Sequence, residues 1–106
     1  MNKIRFYGKY ATLIKKGQKT QTIRIWRKCL LNINDNIIID CKDQQFNAII
    51  TNIEYKNITL LTENDAVRDG FKTLIELQNT IKKIYSFYAP VNNETNVYII
   101  SFKLLS

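Results

Sequence analysis

Residues 17–24 read GQKTQTIR, and how this stretch is read decides the fold. Upstream, Tyr10, Leu13 and Ile14 recur at helical spacing across residues 9–16, which predicts a helix that Gly17 stops. Lys15 and Lys16 fall in its last turn, where the helix dipole favours cations. Beyond Gly17 the period changes to two, the signature of a strand over residues 20–26. Thr20, Thr22 and Arg24 then share one face, and Ile23 and Ile25 share the other, turned to the core. Threonines suit a half-exposed pleat, so a plain surface strand with solvated Lys19 and Arg24 is one reading. The other is a polar face aimed at a ligand. Arg24 favours the second, because a mid-strand arginine beside apolar neighbours needs a partner if buried.

The flanking sequence supplies further elements. Residues 4–6 form a short strand. The β-branched runs 36–41 and 46–55 read as strands, and residues 58–61 as a short one after them. Thr62-Glu63-Asn64-Asp65 combines an N-cap with an acidic first turn, opening a helix that Gly70 closes. Thr73 to Glu76 repeats the device as a capping box, and its helix sets Leu74, Leu77, Ile81, Ile84 and Tyr85 on one apolar face. A last strand spans residues 97–104. Strands followed by helices and a closing strand predict an α+β domain, a small mostly antiparallel β-barrel with about three helices around it.

A chain of 106 residues is expected to form one domain, residues 1–106, and 45% hydrophobic residues are ample for its core. No apolar run approaches the roughly 20 residues of a membrane span, and the charged start MNKIRFYGKY is unlike a signal peptide, so the expected compartment is the cytoplasm. Cys29 and Cys41 are expected as buried or half-buried free thiols. With no histidine, a metal site is not expected, and no motif points to a cofactor. A monomer is favoured.

Charge is more directive. The net charge is +7, and residues 1–28 hold nine cations and no acid. Such a run often marks only a solvated face. Interleaved with Tyr7, Tyr10 and Trp26, it also suits RNA, since lysines attract phosphates and aromatic faces stack bases. Lys15, Lys16, Lys19, Thr20, Arg24, Trp26, Arg27 and Lys28 are the candidate nucleic-acid contacts.

Several segments together resemble an ASCH domain, a β-barrel related to the RNA-binding PUA domain. The most specific are Gly17-x-Lys19-Thr20-x-Thr22-Ile23-Arg24 and Asp65-Ala66-x-x-Asp69-Gly70-Phe71, at a separation and in an order the family shares. The resemblance spans nearly the whole chain. It implies a cleft between barrel and helices that binds RNA or a modified nucleotide. It also implies an enzymatic alternative, because some small bacterial members hydrolyse the acyl amide of acetylated cytidine without a metal, using a lysine, a threonine and an acid. Those roles would fall on Lys19, Thr22 and Asp69. This chain departs from those hydrolases by carrying aspartate where they carry glutamate, and by one extra residue near Phe71–Thr73. As a cleft lysine, Lys19 is expected to contribute little to stability, so Lys19→Met should leave the melting temperature nearly unchanged.

Three functions therefore compete. RNA or modified-nucleotide binding ranks first, since a +7 chain gains most from a phosphate-bearing partner. Hydrolysis of acylated cytidine nucleosides ranks second, with ribonuclease action on bound RNA as a variant that would have to manage without histidine. A protein-interaction or regulatory domain ranks last, because a basic first half does not call for it.

Overall fold

The computed structural model describes residues 2–85 and 90–105. Five strands, β1 (Asn2–Arg5), β2 (Gln21–Arg24), β3 (Asn36–Asp40), β4 (Gln45–Asn57) and β5 (Asn96–Leu104), form one sheet in the order β1-β3-β4-β5-β2. Only β1 and β3 run parallel; the other pairs are antiparallel. Three helices accompany them: α1 (Ala11–Lys15), entered through a 3-10 turn at Gly8–Tyr10, α2 (Glu63–Arg68) and α3 (Leu74–Tyr85).

The curl of the sheet follows from β4. At 13 residues it is long enough to pair with β3 at its start and with β5 along the rest, and its register to β5 shifts between Ile50 and Asn52. Such a bulge bends a strand and increases its twist. The bend brings the two edge strands β1 and β2 round toward each other, leaving a seam. Arg24 spans it, donating from Nη2 to the carbonyl of Arg5 at 2.7 Å. The result is a curled half-barrel, closed across one gap by a side chain and not by a ladder.

Alternation sorts the strands between two cores. Ile37, Ile39, Ile50, Ile100 and Phe102 fill the barrel together with Ile4 from β1 and Ala11 and Ile14 from α1. Ile23, Val97 and Ile99 face outward and pack against Ala66 of α2 and Leu77 and Ile81 of α3. Ile23 is therefore buried as its parity requires, with Ile25 packed against the same cluster. Cys29 is half-buried and Cys41 buried, both as free thiols.

One predicted element is replaced. Residues 58–61 do not form a strand: Ile58–Leu60 is a 3-10 turn, and β4 runs on to Asn57. Asn57 decides this, because its side chain accepts the Thr59 N–H at 2.8 Å and turns the chain. The complete capping box lies at α2, where Thr62 Oγ1 accepts the Asp65 N–H at 3.2 Å and Asp65 Oδ2 accepts the Thr62 N–H at 3.0 Å. At α3, the Glu76 N–H donates to Thr73 Oγ1 at 3.2 Å, and Glu63 of α2 caps from across the turn by accepting the Leu74 N–H at 3.0 Å.

Candidate functional site

The seam opens into a cleft of about 320 Å³. Arg5, Phe6, Tyr7 and Tyr10 form one wall and α3, with Phe71 ahead of it, the other. Thr22, Ile23 and Arg24 of β2 lie along the cleft, and Lys19 and Asp69 line it too. A volume at the lower end of the roughly 300–1,000 Å³ of small-molecule sites suits one base or nucleoside and excludes a duplex.

GQKTQTIR builds this site residue by residue. Gly17 takes φ +75°, and the N–H groups of Gly17, Gln18 and Lys19 turn back to Ile14 and Leu13, ending α1. The next three residues dock the C-terminus of α2, whose last carbonyls need donors. Lys19 Nζ donates to the Asp69 carbonyl at 2.8 Å, the Thr20 N–H to that of Arg68 at 2.8 Å, and Gln21 Nε2 to that of Asp65 at 3.0 Å. Gln21, on the apolar face of β2, is therefore buried with its amide satisfied.

Lys19 and Asp69 also form an ion pair at 2.6 Å, with both residues buried. Lys19 is only 3% exposed, which corrects the expectation of a lightly held cleft lysine. Burial pushes the Asp69 carboxyl up to about 6, with Lys19 holding it back, and burial lowers the Lys19 amine against the pull of Asp69. Above about pH 6 the Asp69 carboxyl is ionised; below it Asp69 takes a proton. The Asp69 carboxyl binds its proton more tightly folded than unfolded, so folding stability from this group falls as pH rises from about 4 to 6. Both charges cost stability relative to solvated ones, so the pair is poorly explained as a stabilising device and fits a functional site better.

Arg24 differs from Lys19 in having no carboxylate partner among the described residues. Its Nε donates to Thr22 Oγ1 at 2.8 Å and its Nη2 to Arg5 O, while the guanidinium lies 4.9 Å from the centre of the Phe6 ring. Burial pulls its pKa down, yet an arginine remains charged. Among the described residues its remaining N–H donors have no hydrogen-bond partner. Lys19 Nζ, 4.9 Å from the Tyr10 ring centre, has both its hydrogen-bond partners on Asp69, so the site comprises two pairs, Lys19–Asp69 and Thr22–Arg24.

The other candidate contacts lie outside the cleft. Thr20 does not line it, because the strand proper begins at Gln21 and Thr20 is tied by its backbone to Arg68 and Phe102. Lys15 and Lys16 are exposed beside a separate depression that Thr20 also lines. Trp26 is half-buried, packed on the barrel core with its ring 6.3 Å from that of Tyr98. Arg27 and Lys28 are exposed just past β2. Asp65 serves α2 and is paired with Lys56 at 3.2 Å; burial would raise its carboxyl, but hydrogen bonds from Thr62 and Lys56 hold it below the usual value. The cleft lining includes Tyr7 and Tyr10, which the sequence reading interleaved with the cations; it did not single out Phe6, Phe71, Tyr85 or Arg5 as cleft residues. For Phe6 the one signal was its place beside Tyr7 and Tyr10.

Gly70 holds the two parts of the site together. It takes φ +91°, and a Cβ there would meet Leu13 Cδ1 at 3.2 Å and Lys19 Cβ at 3.5 Å. Gly70→Ala is expected to cost roughly 1–2 kcal/mol from the left-handed backbone alone. It should also push the Leu13 side chain aside, visible as a lowered melting temperature together with altered Leu13 methyl resonances.

Among the described residues, no three His, Cys, Asp or Glu side chains cluster as metal ligands, and no helix is long and apolar enough to cross a membrane. Solved structures share the fold. An ASCH domain from Lactobacillus crispatus superposes with a TM-score of 0.81 at 13% identity, covering 97% of this chain and 79% of that one. A protein from Enterococcus faecalis gives 0.80 at 19% identity, covering 99% and 76%. The hypothetical protein PH0355 gives 0.76 at 17% identity, covering 97% of both chains. Comparison with curated proteins finds no match. The family model for the ASCH domain matches residues 2–106, and the chain belongs to that family.

Proposed function

We propose that the seam cleft binds a single unpaired nucleobase, carried by RNA or by a modified nucleoside, and that exposed cations near β2 contact the phosphates of an RNA ligand. The observation that supports this most is Arg24, a half-buried cation without a carboxylate partner among the described residues, facing an aromatic-lined cleft the size of one base. Aromatic walls stack a base, and a guanidinium donates to its exocyclic oxygen or to a phosphate. Single-stranded RNA should bind with log K falling by about 0.7 per phosphate neutralised as log salt rises. Charge reversal at Lys15, Lys16, Arg27 and Lys28 should flatten that slope and leave nucleoside affinity unchanged. RNA binding that ignores salt, or survives the reversals intact, would contradict the role of those cations.

Thr22 and the Lys19–Asp69 pair support a second reading, hydrolysis of an acyl amide on cytidine. The Thr22 hydroxyl accepts from Arg24 and keeps its own proton to give, beside a pair in which Asp69 titrates at about 6. In this reading a water attacks the acyl carbon and the bond to N4 breaks, or Thr22 does so and a water then hydrolyses the acyl-threonine to release the acid. The Lys19–Asp69 pair takes the released proton and returns it to the departing amine. Incubation with N4-acetylcytidine should then yield cytidine and acetate, with a rate that falls below about pH 6 as Asp69 takes a proton. Absence of product over pH 5–9 leaves a binding site alone.

A further inference from the structure

We infer that the cleft reads its ligand through the main chain of Ile23, whose N–H and C=O form a donor–acceptor pair for the complementary edge of a pyrimidine. This rests on the cleft being a base site and adds how the base is recognised. β2 is an edge strand, paired only with β5. Its register sets Gln21 opposite Ser101 and Thr22 opposite Ile100, and the Phe102 N–H donates to the Thr20 carbonyl at 3.0 Å. Thr20 and Phe102 are thus a hydrogen-bonded pair. In an antiparallel ladder such pairs alternate with pairs whose amides point away. Thr22 and Arg24 therefore bond to β5, while Ile23 and Ile25 turn their N–H and C=O groups to the open edge. Ile25 bears this out, since its N–H leaves the sheet and donates to Tyr85 Oη at 3.3 Å.

Ile23 has no such cap. Its side chain is packed in the outer core and it still lines the cleft, and no described residue bonds its outward N–H or C=O. Main-chain polar groups at a largely enclosed position are almost always paired, so a ligand is the natural partner. One N–H beside one C=O matches a base edge with an adjacent acceptor and donor. Cytosine offers N3 to the Ile23 N–H and an N4 hydrogen to the Ile23 carbonyl. An N4-acyl group keeps one N4 hydrogen, so an acylated base satisfies the same pair.

The test replaces the amide of Ile23 by an ester, using the α-hydroxy analogue of isoleucine, which deletes one N–H and keeps the side chain. Cytidine affinity of the full chain should fall roughly tenfold, with the circular dichroism spectrum unchanged and a melting temperature close to that of the parent. N4,N4-dimethylcytidine, which lacks the donor, should bind the parent protein correspondingly worse than cytidine. If the folded ester binds cytidine as well as the parent does, the main-chain readout is wrong while the base site stands. If the parent binds no nucleoside, both fail. Should the ester not fold, the parent labelled with 13C at the Ile23 carbonyl decides: cytidine must shift its amide I band to lower frequency, and an unmoved band overturns the inference.

Discussion

Lys19→Met is expected to lower folding stability by about 3–5 kcal/mol, because it leaves the buried Asp69 carboxylate without its counter-charge. For a domain of this size that is a fall of tens of degrees in melting temperature, on the order of 4–8 °C per kcal/mol. The α2 C-terminus also loses the donor on its Asp69 carbonyl. The deficit should shrink with acidification. Asp69 already titrates at about 6 in the parent, so near pH 5 it is largely protonated in both proteins and the missing ammonium matters less. Pairing Lys19→Met with Asp69→Leu should recover most of the loss at pH 7, since exchanging a buried ion pair for apolar groups is often neutral or stabilising. Thermal denaturation of the three proteins at pH 5 and pH 7 checks this. A single variant as stable as the parent at pH 7 would mean that the pair is solvated and not the buried contact described above.

The largest effect on binding should come from Arg24. Arg24→Met removes a half-buried cation of the cleft that has no carboxylate partner among the described residues, and hydrogen bonds to a charged group contribute about 1.5–3 kcal/mol. Nucleoside and RNA affinity should fall by roughly 10- to 150-fold. Arg24→Lys restores the charge without the planar fork that also reaches Thr22 Oγ1 and Arg5 O, so it should recover only part of the loss. Both variants should lose some stability, as the side chain spans the seam. Isothermal titration with cytidine measures the effect, and unchanged affinity in folded Arg24→Met would place the ligand elsewhere.

What the sequence disclosed depended on how local the signal was. The parity of β2 is a period-two pattern, so the burial of Ile23 and the cleft-facing of Thr22 and Arg24 follow from five consecutive residues. The stop at Gly17 and the box of Thr62 and Asp65 are equally local. Lys19 was misjudged in the opposite way. A lysine reads as exposed unless its partner is known, and Asp69 lies 50 residues on. The convergence of the aromatic walls was hidden for the same reason, since Phe6, Tyr10, Phe71 and Tyr85 meet only once the half-barrel closes. Ile58-Thr59-Leu60 misled because β-branched residues favour strands, while Asn57 set the turn. The parallel pairing of β1 with β3 depends on contacts some 35 residues apart in sequence, such as Asn2 with Ile37, and carries no local mark.

The central claim is that a base occupies the seam between β1 and β2. Backbone amide NMR of the 15N-labelled chain during titration with cytidine, and then with a short single-stranded RNA, tests it most directly. The expected perturbations centre on Thr22, Ile23 and Arg24, with Tyr10, Lys19, Asp69 and Phe71 following, for both ligands. RNA should add smaller shifts at Lys15, Lys16, Arg27 and Lys28. Shifts confined to those exposed cations, with the seam residues unmoved by either ligand, would contradict the claim and leave a surface that binds phosphate without reading a base.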